Sequence, residues 1–579
     1  MRSCLALLAS LALFAAPAAV AGKRKIARDL DNAGGNAEIN VIVRFKDSVD
    51  DAKVNKVRQR GGRHKKNLRS VRSATFAIRG NAVRDLANDA DVEFIAPDRV
   101  VGATVDSAEV AAGTEPLRQL GWTGKGITVA VIDSGIDNSH RDLRVNGNTR
   151  IVYQEDFVEH DFAAQDTYGH GTHVAGIIAG DGTESAGANF KQRIRGIAAN
   201  VKLVDLRVLD RNGKGSDSMV IAAIERAIEL KDRFGIRAIN LSLGRPVVES
   251  YEDDPLCQAV ERAWKAGIVV VVAAGNHGRD NVLATGGYGT ITSPGNSPYV
   301  ITVGAIKTKG SARRSDDQLA SYSSKGPTLI DQIVKPDLVA PGNAVVSLKS
   351  NNTSFDKKYK STIVKNAVYV KNGTGNSGDY LKLNGTSMAA PMVTGVVALL
   401  LEKAPGLTPD QVKARLMKTA SKDFPAVTIA NDPVTGQAFE VRYDAFAVGA
   451  GYLDAEAAVR ATGKPVGAAI SPKAVADASG RVRFDVGSMS GTNIAWGTGI
   501  AWGTGIAWGT NIAWGLNVVW GTALLPGTNS PATLGPVSWS SKGTQGFNVV
   551  WGTDSPWSAG IAWGESTVGA LNALTEGEE

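Results

Sequence analysis

"ITVAVIDSGID", Ile127 to Asp137, is the stretch on which the fold turns: an apolar run ends at Asp133, and Ser134-Gly135 turns the chain at once. A run apolar at every position, not at alternate ones, belongs to a strand buried on both faces. Working outward, the same texture returns in "VKLVDLRVL" (Val201 to Leu209), "AINLSLG" (Ala238 to Gly244), "IVVVVAAGN" (Ile268 to Asn276) and "VITVGAI" (Val300 to Ile306). Helical stretches such as Met219 to Phe234 and Pro255 to Ala266 separate them. Strands alternating with helices predict an α/β domain with a doubly wound, mostly parallel sheet over 105–461. Within it the lysine-bearing stretch 350–380 breaks the regularity and reads as a surface insertion without an assigned role.

The flanks follow other rules. Met1-Arg2 leads an apolar run from Cys4 to Val20 that closes on small residues, the layout of a signal peptide over 1–21 and an expectation of export. The alternative, a membrane anchor, suits so short a run poorly. Without that segment Cys257 is the sole cysteine, so no intramolecular disulfide is expected. Residues 22–104 alternate strand and helix patterns ("INVIVRF", "SATFAIRG", "VEFIAPD") and read as a compact α+β unit. They also hold the chain's whole +7 net charge, with 18 Lys+Arg against 11 Asp+Glu. The remainder is close to neutral and lacks an arginine-rich tract, which argues against a nucleic-acid partner. After a transition over 462–489, residues 490–579 repeat "IAWGTG"-like hexapeptides, placing Trp496, Trp502, Trp508, Trp514 and Trp520 six apart. Stacked short strands and a Gly/Trp-rich segment without a unique fold both remain open there.

Chemistry-bearing residues cluster at element ends. Asp133 closes a buried strand; on its own it is as good a helix cap as a catalytic group. "GHGTHVAGIIAG" puts His170 between two glycines at the start of an apolar helix. His173, three residues on, lacks the carboxylate spacing of a metalloprotease helix and reads as structural, not as a metal ligand. "NGTSMAAPMVTGVVALLLEK" sets Ser387 at the head of another apolar helix, where an N-cap is the bland reading. An Asp, a His and a Ser on one α/β scaffold are the types a nucleophilic serine needs: a base for its proton and a carboxylate to hold the imidazole. Asn276, at the end of "VVVVAAGN", offers an amide to a developing oxyanion. An esterase is disfavoured, because Gly385-Thr386-Ser387-Met388-Ala389 is not a G-x-S-x-G elbow.

Together "VIDSGI", "GHGTHVAG", "AAGN" and "GTSMAAP", in this order, resemble the subtilisin-like serine proteases, the subtilases. The resemblance covers about Pro116 to Ala461 and implies that Asp133 orients the imidazole, His170 is general base then acid, and Ser387 is the nucleophile. It implies an oxyanion hole at Asn276 and the Ser387 amide, with Ser242, Leu243 and Gly244 pairing with substrate backbone. Arg245 and His277 depart from the family's usual residues, which implies altered subsites. Residues 22–104 resemble the family's ferredoxin-like inhibitor propeptide, with self-cleavage expected near Ala103 to Asp106. The chemistry needs no cofactor; a structural calcium is implied at Asp142 in "SHRDL", although the partner loop "AGDGTESAGANFKQR" departs from the family pattern. Expected partners are protein or peptide substrates and the propeptide itself, and the Trp repeats are expected to meet cell-envelope material. The rival reading is a cell-surface adhesion protein acting through those repeats, with the protease fold as carrier.

Overall fold

The computed structural model describes residues 24–484 apart from 28–29, 31–34, 99, 104–113, 159–164, 281–284, 309–313, 352, 426, 433–435, 466 and 477–481. The expected signal peptide, the cut site just beyond Ala103 and the Trp repeats lie outside the described residues.

The first unit runs β1 (Glu38–Phe45), α1 (Asp51–Gln59), β2 (Arg63–Leu68), β3 (Ser73–Arg79), α2 (Val83–Ala87) and β4 (Val92–Pro97). Its antiparallel sheet has the order β2-β3-β1-β4. Strand β1 alternates until Asn40 and is then wholly buried, because α1 and α2 cover one face with Val54, Val57, Val83 and Leu86. Ile42, Leu68 and Val71 belong instead to the apolar cluster of the large domain, so the other face rests on that domain. Polar contacts fix the seam: Glu225 accepts from the Ser70 amide at 2.8 Å and hydroxyl at 2.6 Å, and Asp98 accepts from the Ser218 amide at 2.7 Å. β5 (Val100–Ala103) then leaves this unit.

The large domain is built on β6 (Thr128–Asp133), β7 (Ile151–Asp156), β8 (Lys202–Arg207), β9 (Lys214–Ser216), β10 (Ile236–Leu241), β11 (Leu243–Gly244), β12 (Val269–Ala273), β13 (Ile301–Lys307), β14 (Gln318–Leu319) and β15 (Leu338–Asn343). Its main sheet has the order β14-β13-β12-β10-β6-β8-β7, with β15 also on β13; only the β13–β14 pairing is antiparallel. Both faces are covered. α3 (His170–Ala179) and α6 (Thr386–Lys403) pack together and on the sheet, while α4 (Asp217–Glu229) and α5 (Pro255–Lys265) form another packed pair. α6 is buried along most of its length, so its apolar sequence is that of a core helix. The chain proceeds to β7 and β8 on one side of β6, then to β10 on the other. That reversal opens a crevice at the C-terminal ends of β6 and β10.

The insertion does not lie loosely on the surface. β16 (Val345–Leu348), β17 (Ile363–Lys365) and β18 (Asn376–Leu383) form a small antiparallel sheet with β18 in the middle. Beyond Ala461 the chain still follows the domain: Ser471 N–H donates to the Pro298 carbonyl at 3.0 Å, Val334 N–H to Pro472 at 2.8 Å and Ala474 N–H to Gln332 at 2.7 Å.

Candidate active site

Asp133 ends β6 with its side chain at 0% exposure. Its Oδ1 accepts from His170 Nδ1 at 2.6 Å and from the Ser134 amide at 2.7 Å. The His170 helix starts after Gly169, whose φ of 108° no β-branched residue adopts cheaply. Gly171 is equally constrained, since a Cβ there would come within 2.2 Å of the Gly135 carbonyl oxygen. Gly171 therefore lets the helix start press against the turn after Asp133, while Gly169 supplies the backbone conformation that begins the helix. His170 Nε2 is buried and has no hydrogen-bond partner.

Ser387 lies in the first turn of α6, where its hydroxyl donates to the Ser242 carbonyl at 3.1 Å. The Ser242 hydroxyl donates back to the Ser387 carbonyl at 2.8 Å. Asn276 Oδ1 accepts from both the Thr386 amide and the Thr386 hydroxyl at 3.0 Å. With its oxygen held on that side, the Asn276 NH2 is directed away from Thr386. Asp133 and His170 are thus joined directly, Ser387, Ser242 and Asn276 through the α6 start, and α3 packs on α6.

Leu243 and Gly244 form β11, one wall of a slot whose other wall is β9. β5 lies between them, antiparallel to both, with Leu243 opposite Ala103 and Lys214 opposite Gly102.

A protein with this fold, an Asp–His pair at a strand end and a serine at a buried helix start invites comparison with known families. Residues 124–451 match the group described as the subtilase family. The chain is a subtilase. It is 35% identical over 398 residues to serine protease AprX of Bacillus subtilis, covering 66% of this chain and 83% of that protein. Subtilisin E of the same organism is 33% identical over 393 residues, covering 67% of this chain and 86% of its own. Among solved structures, fervidolysin from Fervidobacterium pennivorans, described as a keratinolytic enzyme related to subtilisin, superposes with a TM-score of 0.56 at 23% identity. That match covers 76% of this chain but 63% of fervidolysin, and it speaks for the fold. The protein is accordingly a serine-type endopeptidase.

Two expectations for this subtilase need correcting. Asp142 does not fit a calcium ion. Its Oδ1 accepts from the Glu184 amide at 2.7 Å and its Oδ2 from the Tyr380 hydroxyl at 2.8 Å, so donors stand where a hard cation needs acceptors. The Arg150 guanidinium also donates to the Asp142 carbonyl, at 2.6 Å. Among the described residues no group of three or more His, Cys, Asp or Glu side chains is placed to hold a metal. Arg245, expected to alter a subsite, is turned inward: 1% exposed, it pairs with Asp217 at 3.0 Å and Asp254 at 2.7 Å. The insertion reaches the site's rear, with Ser354 N–H donating to the Thr167 carbonyl at 3.0 Å and Thr353 Oγ1 packed over Gly169.

His173 is a core residue. Burial pushes its imidazole down to about 3, and its Nε2 faces the Val345 carbonyl at 3.2 Å. His277 follows Asn276 in a pocket lined also by Pro246, Val247, Ile291, Thr292 and Leu329, and burial lowers its imidazole too. Sequence reasoning missed two buried carboxylates beside the Asp133–His170 pair. Burial raises Asp166 to about 6 and Asp205 to about 7. Neither sits in a recognisable motif; a polar residue inside the apolar "VKLVDLRVL" was the available sign for Asp205.

Proposed function

We propose that this subtilase is an exported endopeptidase that frees itself from its N-terminal unit by cutting after β5. The observation that carries the reading is β5 itself. A stretch of the chain's own backbone lies in the slot between β9 and β11, paired on both sides as an extended peptide substrate pairs by β-addition. Such pairing recognises main chain and leaves sequence largely unread, which suits a broad protein substrate range. In this reading residues 22–104 are an inhibitor until they are cut and released, and the expected cut lies near Ala103 to Asp106.

Chemistry then proceeds by acyl transfer. The Ser387 oxygen adds to the scissile carbonyl carbon while its proton passes to His170 Nε2, for which that nitrogen has no competing partner. Asp133, bonded to Nδ1, keeps the imidazole in the tautomer that can receive the proton and stabilises the cation that results. The oxyanion is met by the Asn276 amide and the Ser387 N–H. Collapse breaks the C–N bond, His170 returns the proton to the departing amine, and water repeats the sequence on the ester. For that to start, the Ser387 hydroxyl must turn from the Ser242 carbonyl to His170. Export rests on the Cys4 to Val20 run, and retention at the envelope on the Trp repeats.

The test compares secreted wild type with Ser387→Ala by intact mass, N-terminal sequencing and casein hydrolysis. Wild type is expected to mature near Ala103 to Asp106 and digest casein, with the variant full length and inert. Identical processing of both would assign maturation to another protease. A wild type without casein hydrolysis would favour the adhesion reading.

A further inference from the structure

We propose that Asp166 is a positioning residue that holds Asp133 and His170 in register, an inference that rests on the triad reading above. Asp166 lies outside all four motifs, 3% exposed, in the turn before α3. Its Oδ1 accepts from the Ser134 hydroxyl at 2.8 Å, the Gly169 amide at 2.7 Å and the Tyr168 amide at 3.2 Å. Its Oδ2 accepts from the Thr172 amide at 2.9 Å and the Thr172 hydroxyl at 2.7 Å. The Ser134 hydroxyl in turn accepts from the Gly171 amide at 2.9 Å.

These donors come from two separate places. Ser134 is the residue after Asp133; Tyr168, Gly169 and Thr172 bracket His170. One carboxylate therefore ties the end of β6 to the start of α3, and the bond it keeps in length is the 2.6 Å contact between Asp133 and His170. Catalytic groups lose about a hundredfold in rate when displaced by ~1 Å, so a tie of this kind has a kinetic consequence. Asn in its place has one acceptor oxygen for five donors and turns an NH2 toward two of them.

The surroundings of Asp166 are charged on several sides. β6 and the turn after it supply Asp133 and Asp137, and Thr172 Oγ1 links Asp166 to the Asp137 amide. β8 supplies Asp205, together with Arg207, which reaches Thr167 and pairs with Asp156 of β7. α3 supplies His170, Lys349 just before the insertion pairs with Asp356 inside it, and the Ser350 hydroxyl lies 3.3 Å from the Asp166 carbonyl. Burial raises the Asp166 carboxyl to about 6 against the pull of its donors. A carboxyl that takes up a proton there gives up an acceptor position to one of the five donors.

The test is Asp166→Asn in the full chain, matured and active-site titrated, with kcat/KM followed from pH 5 to 9. The plateau is expected to fall at least ~10-fold through kcat with KM nearly unchanged. Burial raises the wild-type carboxyl to about 6, and its protonation costs an acceptor, so the variant is also expected to lose that contribution to the acid limb, which moves to lower pH. A plateau within twofold of wild type and an unmoved limb would overturn the proposal. Should Asp166→Asn fail to fold, Thr172→Val and Ser134→Ala each remove a donor and leave the charge in place. Each is expected to lower kcat several-fold with the limb unmoved, and wild-type rates in both would overturn it. Ser387→Ala runs alongside: turnover by that variant would mark failure of the triad reading, not of Asp166.

Discussion

A large loss of stability is expected from Asp337→Asn. Asp337 is fully buried and holds two buried ammoniums, Lys335 at 2.7 Å and Lys413 at 3.1 Å. The Ser471 hydroxyl at 2.6 Å and the Thr302 amide at 2.8 Å complete its shell. Removing one partner of a buried pair costs about 3–5 kcal/mol, because an uncompensated charge stays behind. Unfolding entropy of ~2 cal/mol/K per residue over about 350 residues makes that a fall in Tm on the order of 5 °C. The pH dependence sharpens the test. Even with its partner, burial holds Lys335 down to about 7. A lysine whose native pKa is depressed binds fewer protons folded than unfolded, so stability rises with pH. In the variant both lysines turn neutral at lower pH than in wild type. The deficit should therefore be larger at pH 5 than at pH 7, shrinking by about 1.4 kcal/mol per unit for each lysine the native variant holds neutral. Urea unfolding followed by tryptophan fluorescence, in a Ser387→Ala background free of autolysis, measures both quantities. A loss below ~1 kcal/mol, or one equal at pH 5 and 7, would refute the reasoning.

Other perturbations have defined outcomes. Tyr380→Phe removes the hydroxyl that donates to Asp142 and is expected to cost ~1–2 kcal/mol. Calcium at about millimolar levels, in the range of weak protein sites, should leave that deficit unchanged in a melting assay, and recovery would restore the metal site. Arg245→Met leaves Asp217 and Asp254 buried without their cation, so a loss of ~3–5 kcal/mol is expected with cleavage preference on a peptide library unaltered. Gly171→Ala drives a methyl group against Gly135 and should lower kcat/KM by about a hundredfold while circular dichroism stays near wild type.

What the sequence disclosed follows the range of the forces involved. Strands buried on both faces announce themselves locally, so β6, β10, β12 and β13 fall where the Val/Ile runs stand. The catalytic candidates sit at element ends flanked by glycines, a local signature as well. Asp166 gains its meaning from donors on two segments joined only by folding, and Lys335, Asp337 and Lys413 from a cluster whose members lie on separate elements. β9 escaped notice because Lys-Gly-Ser has no strand pattern; its pairing with β5 makes it a strand. Tyr380 was hidden within a polar insertion, and its partner Asp142 lies 238 residues away. Arg245 departs from the family's usual residue beside Leu243 and Gly244, which pointed to an altered subsite, yet its side chain runs to Asp217 and Asp254.

The stretch from 463 to 476 bears on how the enzyme can shed its Trp-rich end. Lys413 grips Ser471 at 2.8 Å, Arg415 bonds the Gly463 carbonyl, and Ala474 is hydrogen-bonded to Gln332. Severing the chain before Ser471 would strip the Lys413 ammonium and the Asp337 carboxylate of one polar partner each. A trimmed enzyme that keeps its fold should therefore carry a C-terminus beyond Ala476, a length that mass spectrometry of the matured protein reads directly.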